Sequence, residues 1–518
     1  MAVDLSVALH PELVYILAAL VGGFIIFFGL ISLLVKEKLF LSDALVALLF
    51  GILVGPKVFG FFDPLSWPDH PGITLELSKF AIAIQVMAAG VSMPKAYARR
   101  EYWSFMMLLG PTMLAMWLVS GLIMYLILPR FSFLQALVVA ACVTPTDPIL
   151  ANSVVKGRFA EKHVPIHVRD LLSAESGAND GLGLPYMYLA LYLLHFNSVW
   201  DALTAWVVLV WLYQIFLAVA IGITAGFIFR KLIYHAERYD LIDKESFLAF
   251  WIALALFITG SLGILGSDDV LACFVAGNAF AWDNWFSNET KEAHLQEVVD
   301  MIFNYAYFIF LGASLPWDSY ASTLPDLGYG KLIAIGSLLL LFRRLPAMLV
   351  LSKFIPAIHN LREAVFAGWF GPIGVGAIFL AFLGQSIIDN LNANMQSTVG
   401  KDALDHVRPY LYPVVSFMVL CSVIVHGITV PLIYLGRHIT TRSITATSAM
   451  QNVVSRLPMI RPGQDVVLVP PKRSLNGEGS SNPPEHNTIE IEDEVPTVLH
   501  LPAGAQVVVS DNLEGKSA

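Results

Sequence analysis

Val143-Thr144-Pro145-Thr146-Asp147-Pro148-Ile149 sets an aspartate between two prolines in the middle of an apolar segment. Proline removes a backbone donor and breaks the helical ladder. Lipid tolerates such a break only where the backbone lines a cavity or is buried in protein. A carboxylate at membrane depth is expensive and marks a functional site by default. Roughly 30 residues later a second apolar stretch carries Glu175, Asn179 and Asp180. A buried acid on a broken helix, facing further acids on the next one, describes an ion site near the bilayer midplane.

The surrounding composition agrees. Of the 518 residues 57% are hydrophobic and 14% charged, where a soluble domain carries about 25% charged residues. The apolar residues fall in blocks of about 20, the length of a membrane-spanning helix. The expected fold class is an all-α polytopic membrane protein. Its thirteen candidate spans lie near 13–35, 40–60, 74–94, 103–128, 134–156, 168–194, 205–233, 246–265, 268–283, 296–315, 331–354, 363–388 and 409–435. The first run, Leu13 to Val35, is too long for a signal-peptide core and reads as a true span. With the N-terminus outside, Lys and Arg are roughly threefold more frequent in the inner loops than in the outer ones, as the positive-inside rule requires. The net charge of -9 says little, because much of the acid lies in the C-terminal tail and in loops, and a basic nucleic-acid-binding face is absent. Cys142, Cys273 and Cys421 sit in apolar segments as small hydrophobes, and no Cys/His cluster has zinc spacing.

The twelfth span carries a second interruption, Gly371-Pro372-Ile373-Gly374-Val375-Gly376-Ala377. If spans 1–6 and 8–13 are inverted repeats joined by span 7, the fifth and twelfth spans occupy equivalent positions. Paired interruptions of this kind point to a secondary-transporter site, with Pro145, Pro148, Gly371, Pro372 and Gly374 forming a broken-helix crossover. The plainer alternative is that Gly and Pro are common in membrane helices.

Asp147 can hold a bare alkali cation or a proton, with Thr146, Ser153 and freed carbonyls as neutral oxygens. It can also serve as an N-cap for the second half-helix. Ser176 and Asp180 share one helical face and Glu175 and Asn179 another. Asp180 lies about 140° round from Glu175. Asp180 is therefore expected to face Asp147 while Glu175 reaches another helix. A cation partner for Glu175 is expected in Arg343 or Arg344, inside span eleven, because an unpaired arginine there is costly. Asp268 and Asp269 read as an outer vestibule or as the cap of the ninth helix. His359, beside Arg362 and Glu363 at the inner end of span twelve, is a candidate pH sensor or an ordinary interfacial histidine. There is no Walker loop, no dinucleotide fingerprint and no Ser/His/Asp set. No cofactor is expected, and no metal beyond an alkali cation. From Ile439 the composition turns to Ser, Thr, Pro and Glu, which reads as a mostly disordered cytosolic tail at 439–518, with 1–438 as the membrane domain.

The runs Thr146-Asp147-Pro148-Ile149-Leu150-Ala151, Glu175-Ser176-Gly177-Ala178-Asn179-Asp180-Gly181, Asn304-Tyr305-Ala306-Tyr307-Phe308 and Phe370-Gly371-Pro372-Ile373-Gly374-Val375-Gly376-Ala377 resemble the monovalent cation/proton antiporters. The resemblance is closest to the fungal plasma-membrane Na+/H+ antiporters and runs from Leu33 to His438. It implies a homodimer of thirteen-span protomers, each with interleaved dimerisation and sliding core subdomains. By motif, Asp180 is implied as the ion-binding acid, Asn179 as its partner, Thr146-Asp147 as the unwound crossover, and Glu175 with Arg344 as a structural ion pair. The implied function is exchange of cytosolic Na+, with Li+ and K+ as further cations, for external H+ across the lipid of the plasma membrane, serving salt tolerance and pH homeostasis. The animal relatives carry an arginine where this chain has Pro372. Competing readings are an organellar K+/H+ exchanger, a Na+-coupled solute symporter on a similar fold, and a non-transporting sensor.

Overall fold

A computed structural model of the chain describes residues 13–39, 41–148, 150–151, 164–290, 295–325, 327–393, 398–445, 466–469 and 506–509. The principal helices are α1 (Leu13–Leu33), α2 (Asp43–Val54), α3 (His70–Val91), α4 (Tyr102–Ile127), α5 (Phe133–Cys142), α6 (Ile166–Asn179), α7 (Gly183–His195), α8 (Val199–Arg238), α9 (Lys244–Leu265) and α10 (Asp269–Phe280). They continue with α11 (Leu295–Ala313), α12 (Tyr329–Phe342), α13 (Leu345–Leu351), α14 (Leu361–Trp369), α15 (Val375–Ala393) and α16 (Thr398–Thr445). Among the described residues eight helical stretches are long and apolar enough to cross a membrane, and α2, α5 and α10 are shorter apolar helices. Residues up to Leu432 form one compact unit. In the second unit, from Ile433, the strands β1 (Val466–Val469) and β2 (Gln506–Val509) pair antiparallel, with Val466 opposite Val509. Residues 439–445 of the expected tail continue α16 as helix, and the remainder of the tail, like Ser153, lies outside the described residues.

Local sequence sets several helix starts. Ser132 and Gln135 form a capping box at α5, satisfying orphan N–H groups from both directions. Asp243 accepts from Ser246 N–H at the start of α9, and that bond holds its carboxyl below the usual carboxylate range. Two segments read as continuous from sequence are interrupted. The sixth span breaks at Asp180 to Leu182, between α6 and α7, and the eleventh at Arg343 and Arg344, between α12 and α13. Gly181 lies within the first interruption and Gly183 just after it, and Pro346 enters α13 just after the second.

Helices meet closely where one of them lacks a side chain. Gly222 and Gly226 of α8 lie against the carbonyls of Ala272 and Ala276 on α10. Gly90 of α3 lies against Phe274 and Asn278 of α10, and Gly51 and Gly312 let α2 and α11 touch along their backbones. Small residues are what allow this approach where hydrophobic burial gives helices no net drive to associate.

Gly226→Val should therefore lower the melting temperature of the detergent-solubilised protein, in line with an overpacking penalty of about 1–3 kcal/mol. Gly260→Ala, where an added Cβ meets nothing within 4 Å, should not lower it.

Candidate functional site

The two broken spans meet. The first break separates α5 from the helical residues that resume at Pro148, and the second separates α14 from α15. The two strands of unwound chain are joined directly, Asp147 N–H donating to Pro372 O at 2.9 Å. Each break exposes two kinds of orphan backbone groups, N–H at the start of the second half and C=O at the end of the first. Asp147 serves the donors of both. Its Oδ1 accepts from Leu150 N–H at 2.8 Å and its Oδ2 from Val375 N–H at 2.7 Å. One buried carboxylate thus caps both second halves, at the positive end of each. The geometry engages both Asp147 oxygens with backbone donors.

Arg343 serves the acceptors. Its guanidinium donates to the carbonyls of Val143, Thr144 and Pro145 in the first break and of Gly371 in the second. Five fixed donors on a planar group suit such a cluster. This role was not visible in the sequence, which offered Arg343 only as an alternative partner for Glu175. Pro372 brings no charge to the second break, and Arg343 from the neighbouring span supplies it. Ser422 and His426 on α16 brace the same break. Ile373 N–H donates to Ser422 Oγ at 2.7 Å, and His426 Nε2 lies 3.0 Å from Trp369 O.

Arg344 grips Glu175. Its two terminal nitrogens lie 2.5 and 2.6 Å from the two carboxylate oxygens, with both side chains 3% exposed. Its Nε donates to Ala367 O at 2.8 Å. The pair ties α6 to the start of α13 and the end of α14.

Thr146 is held by the next span. Its N–H donates to Asn179 Oδ1 at 3.1 Å, its hydroxyl accepts from Asn179 Nδ2 at 2.9 Å, and the hydroxyls of Thr146 and Ser176 lie 3.0 Å apart. Asn179 thus spends its amide on the unwound chain. Asp180 differs from all of these. It is 2% exposed, and neither carboxylate oxygen has a hydrogen-bond partner among the described residues. It lies at the interruption between α6 and α7, against the first turn of α15, where a side chain at Gly376 would run into its Oδ1. Gly374 leaves the same room for Asp147, and Gly371 for Arg344. The Gly-rich run is therefore fitted, glycine by glycine, to charged side chains of neighbouring spans.

Asp268 caps α10, its Oδ1 accepting from Leu271 N–H at 2.9 Å. Its buried Oδ2 has no hydrogen-bond partner among the described residues and faces Gly181, beside Asp180. Asp269 is buried as well. His359 lies apart from the crossing, its backbone N–H donating to Glu363 Oε2 at 2.8 Å.

Chemically, the crossing carries two buried acids and two buried arginines of equal and opposite charge: Glu175 and Arg344 form a direct ion pair, while Asp147 and Arg343 each bind backbone groups of both breaks. Asp180 stands outside that balance, with the buried Asp268 beside Gly181 as its acidic neighbour. Without a counter-charge a buried carboxylate is strongly disfavoured. A proton or a monovalent cation satisfies it, and Thr146, Ser176 and Asn179 place neutral oxygens on the adjoining chain.

A sequence-family model described as "Sodium/hydrogen exchanger, transmembrane" matches residues 23–435. The chain is 40% identical over 516 residues to a probable Na(+)/H(+) antiporter of Schizosaccharomyces pombe, covering 96% of this chain and 66% of that protein. It is 32% identical over 445 residues to a Na(+)/H(+) antiporter of the same yeast, covering 83% of this chain and 94% of that one. The chain spans 66%, 44% and 53% of three curated relatives it matches at 40–42% identity. Among solved structures, the sodium proton antiporter MjNhaP1 from Methanocaldococcus jannaschii superposes with a TM-score of 0.58 at 18% identity, covering 80% of this chain and all of that one. At that identity the likeness speaks to the fold.

Glu175→Gln or Arg344→Met strands one buried charge, and each should destabilise the purified protein by about 3–5 kcal/mol. The measurement is the melting temperature in detergent, and an unchanged value in Glu175→Gln would show that the pair contributes nothing to the fold.

Proposed function

Because the chain belongs to the sodium/hydrogen exchanger family, we propose that it is a secondary active transporter exchanging cytosolic Na+ for external H+ at Asp180. The observation that carries this reading is the state of that carboxylate: buried, without a hydrogen-bond partner, and set beside a crossing whose other charges are already offset. One site of that kind holds a proton or a cation, and the two compete for it. Asp147, Asn179, Thr146 and Ser176 act by fixing the unwound chain around it, with Thr146 and Ser176 offering hydroxyl oxygens to the ion. Glu175 and Arg344 keep the core helices together. Asp268, whose free oxygen faces Gly181, draws cations toward the site from the outer side.

The same proposal includes thirteen crossings, an external N-terminus and a cytosolic tail, supported by the distribution of Lys and Arg. It also includes a homodimer in the plasma membrane and Li+ and K+ as further cations. In the cell the exchange would export salt and regulate internal pH.

Asp180→Asn should abolish Na+-driven proton flux in proteoliposomes while the purified protein keeps its melting temperature. Asn neither releases a proton nor balances a bound cation. Flux near that of the parent protein would move the ion site elsewhere.

Competition also fixes the pH dependence. In acid, where protons dominate the site, the apparent constant for Na+ should rise about tenfold per pH unit, since each unit of protonation is worth about 1.4 kcal/mol. The maximal rate should change much less, because high Na+ displaces the protons. Exchange measured against Na+ at several pH values on both sides of neutrality reads this directly. A constant apparent affinity with a falling maximal rate would mean that protons act at a separate regulatory group.

A further inference from the structure

The sequence shows no zinc spacing, yet the fold collects two histidines and a glutamate from distant positions. His167 lies in the first turn of α6, His359 just before α14, and Glu363 in the first turn of α14. One potential ligand atom from each lies within 4.8 Å of the others. His167 Nε2 is 3.2 Å from Glu363 Oε2. That nitrogen is buried, and among the described residues the Glu363 carboxylate is its polar neighbour. The two imidazole rings stand 4.4 Å apart between centroids, tilted by 37°.

We propose that His167, His359 and Glu363 form a binding site for a divalent transition metal of the zinc type. Two imidazoles and a carboxylate are a ligand set such ions take. Bonds of about 2.0–2.1 Å at a tetrahedral centre separate neighbouring ligand atoms by about 3.3 Å, close to the spacing of His167 Nε2 and Glu363 Oε2. The carboxylate is already oriented. Asn360 Nδ2 donates to its Oε1 at 2.8 Å, and His359 N–H donates to its Oε2 at 2.8 Å. Those bonds are the outer shell that a metal-binding carboxylate needs. His359 is exposed, which provides the entry path, and a fourth position is left for water. Mg2+ and Ca2+ prefer oxygen ligands and fit this set poorly.

Such an ion would join the start of α6 to the start of α14. These helices end at Asn179 and Trp369, the former beside Asp180 and the latter at the second break. A metal there staples the far ends of two helices that hold the crossing.

The test is calorimetric titration of Zn2+ into the tag-free, chelator-treated full chain in detergent. One ion should bind per chain, with Mg2+ failing to compete. His359→Ala and His167→Ala should each weaken binding at least tenfold, and Glu363→Gln likewise, while His235→Ala, at an exposed site on α8, leaves it unchanged. His359 is exposed, so its variant should keep the metal-free melting temperature of the parent. Absence of stoichiometric binding, or binding that survives both His359→Ala and His167→Ala, overturns the proposal. The readout is bound metal, so the result is independent of whether the chain exchanges Na+.

Discussion

Two helices broken at the same depth cannot lie side by side in a membrane unless their freed backbone groups are satisfied, and there is no water to do it. The structure meets this with one anion and one cation. Asp147 collects donors from both second halves and Arg343 collects carbonyls from both first halves. The arrangement is symmetric in the sense that matters, since each charge serves both repeats at once. Removing either group would orphan backbone atoms in both broken spans. The crossing is therefore one structural unit and not two adjacent defects.

That unit decides between the two readings of the Gly- and Pro-rich segments. If glycine and proline were there only because membrane helices tolerate them, the positions of the glycines would be arbitrary. Instead Gly371, Gly374 and Gly376 each face a named side chain, Arg344, Asp147 and Asp180 respectively, at distances no Cβ could share. Ile373 and Val375, between them, use their N–H groups to reach Ser422 and Asp147. The glycines run from the unwound chain at 371–374 into the first turn of α15, laid across charged neighbours.

Much of this was legible in the sequence. The positions of the apolar segments, the paired breaks, the unusual acids and the opposite faces of Glu175 and Asp180 follow from composition and helical geometry. What escaped is instructive. Asp147 could be read as a ligand or as a cap, and only the approach of α15 shows it capping a helix from the other repeat. Arg343 and Arg344 are neighbours in sequence, and periodicity cannot separate them. The interruption between α12 and α13 turns one guanidinium to Glu175 and the other to the crossing. The interruption after Asp180 was hidden because α6 and α7 together read as one apolar run. The His167, His359 and Glu363 cluster has no spacing signature at all, since 192 residues separate its first two members.

The balance of charge at the crossing also bears on why such a site would exchange ions and not leak them. Asp147, Arg343, Glu175 and Arg344 sum to zero charge, which leaves Asp180, with Asp268 near it, outside the balance. When Asp180 carries a proton, the site is neutral. When it carries one monovalent cation, the site is neutral again. Only the empty site holds an uncompensated buried charge, disfavoured by several kcal/mol. In the proposed exchange, movement of the core between its two exposures is then favoured with either ion aboard and opposed with neither. Under the proposed function, coupling needs no gate that senses occupancy. It follows from one carboxylate that has nothing but its cargo to neutralise it.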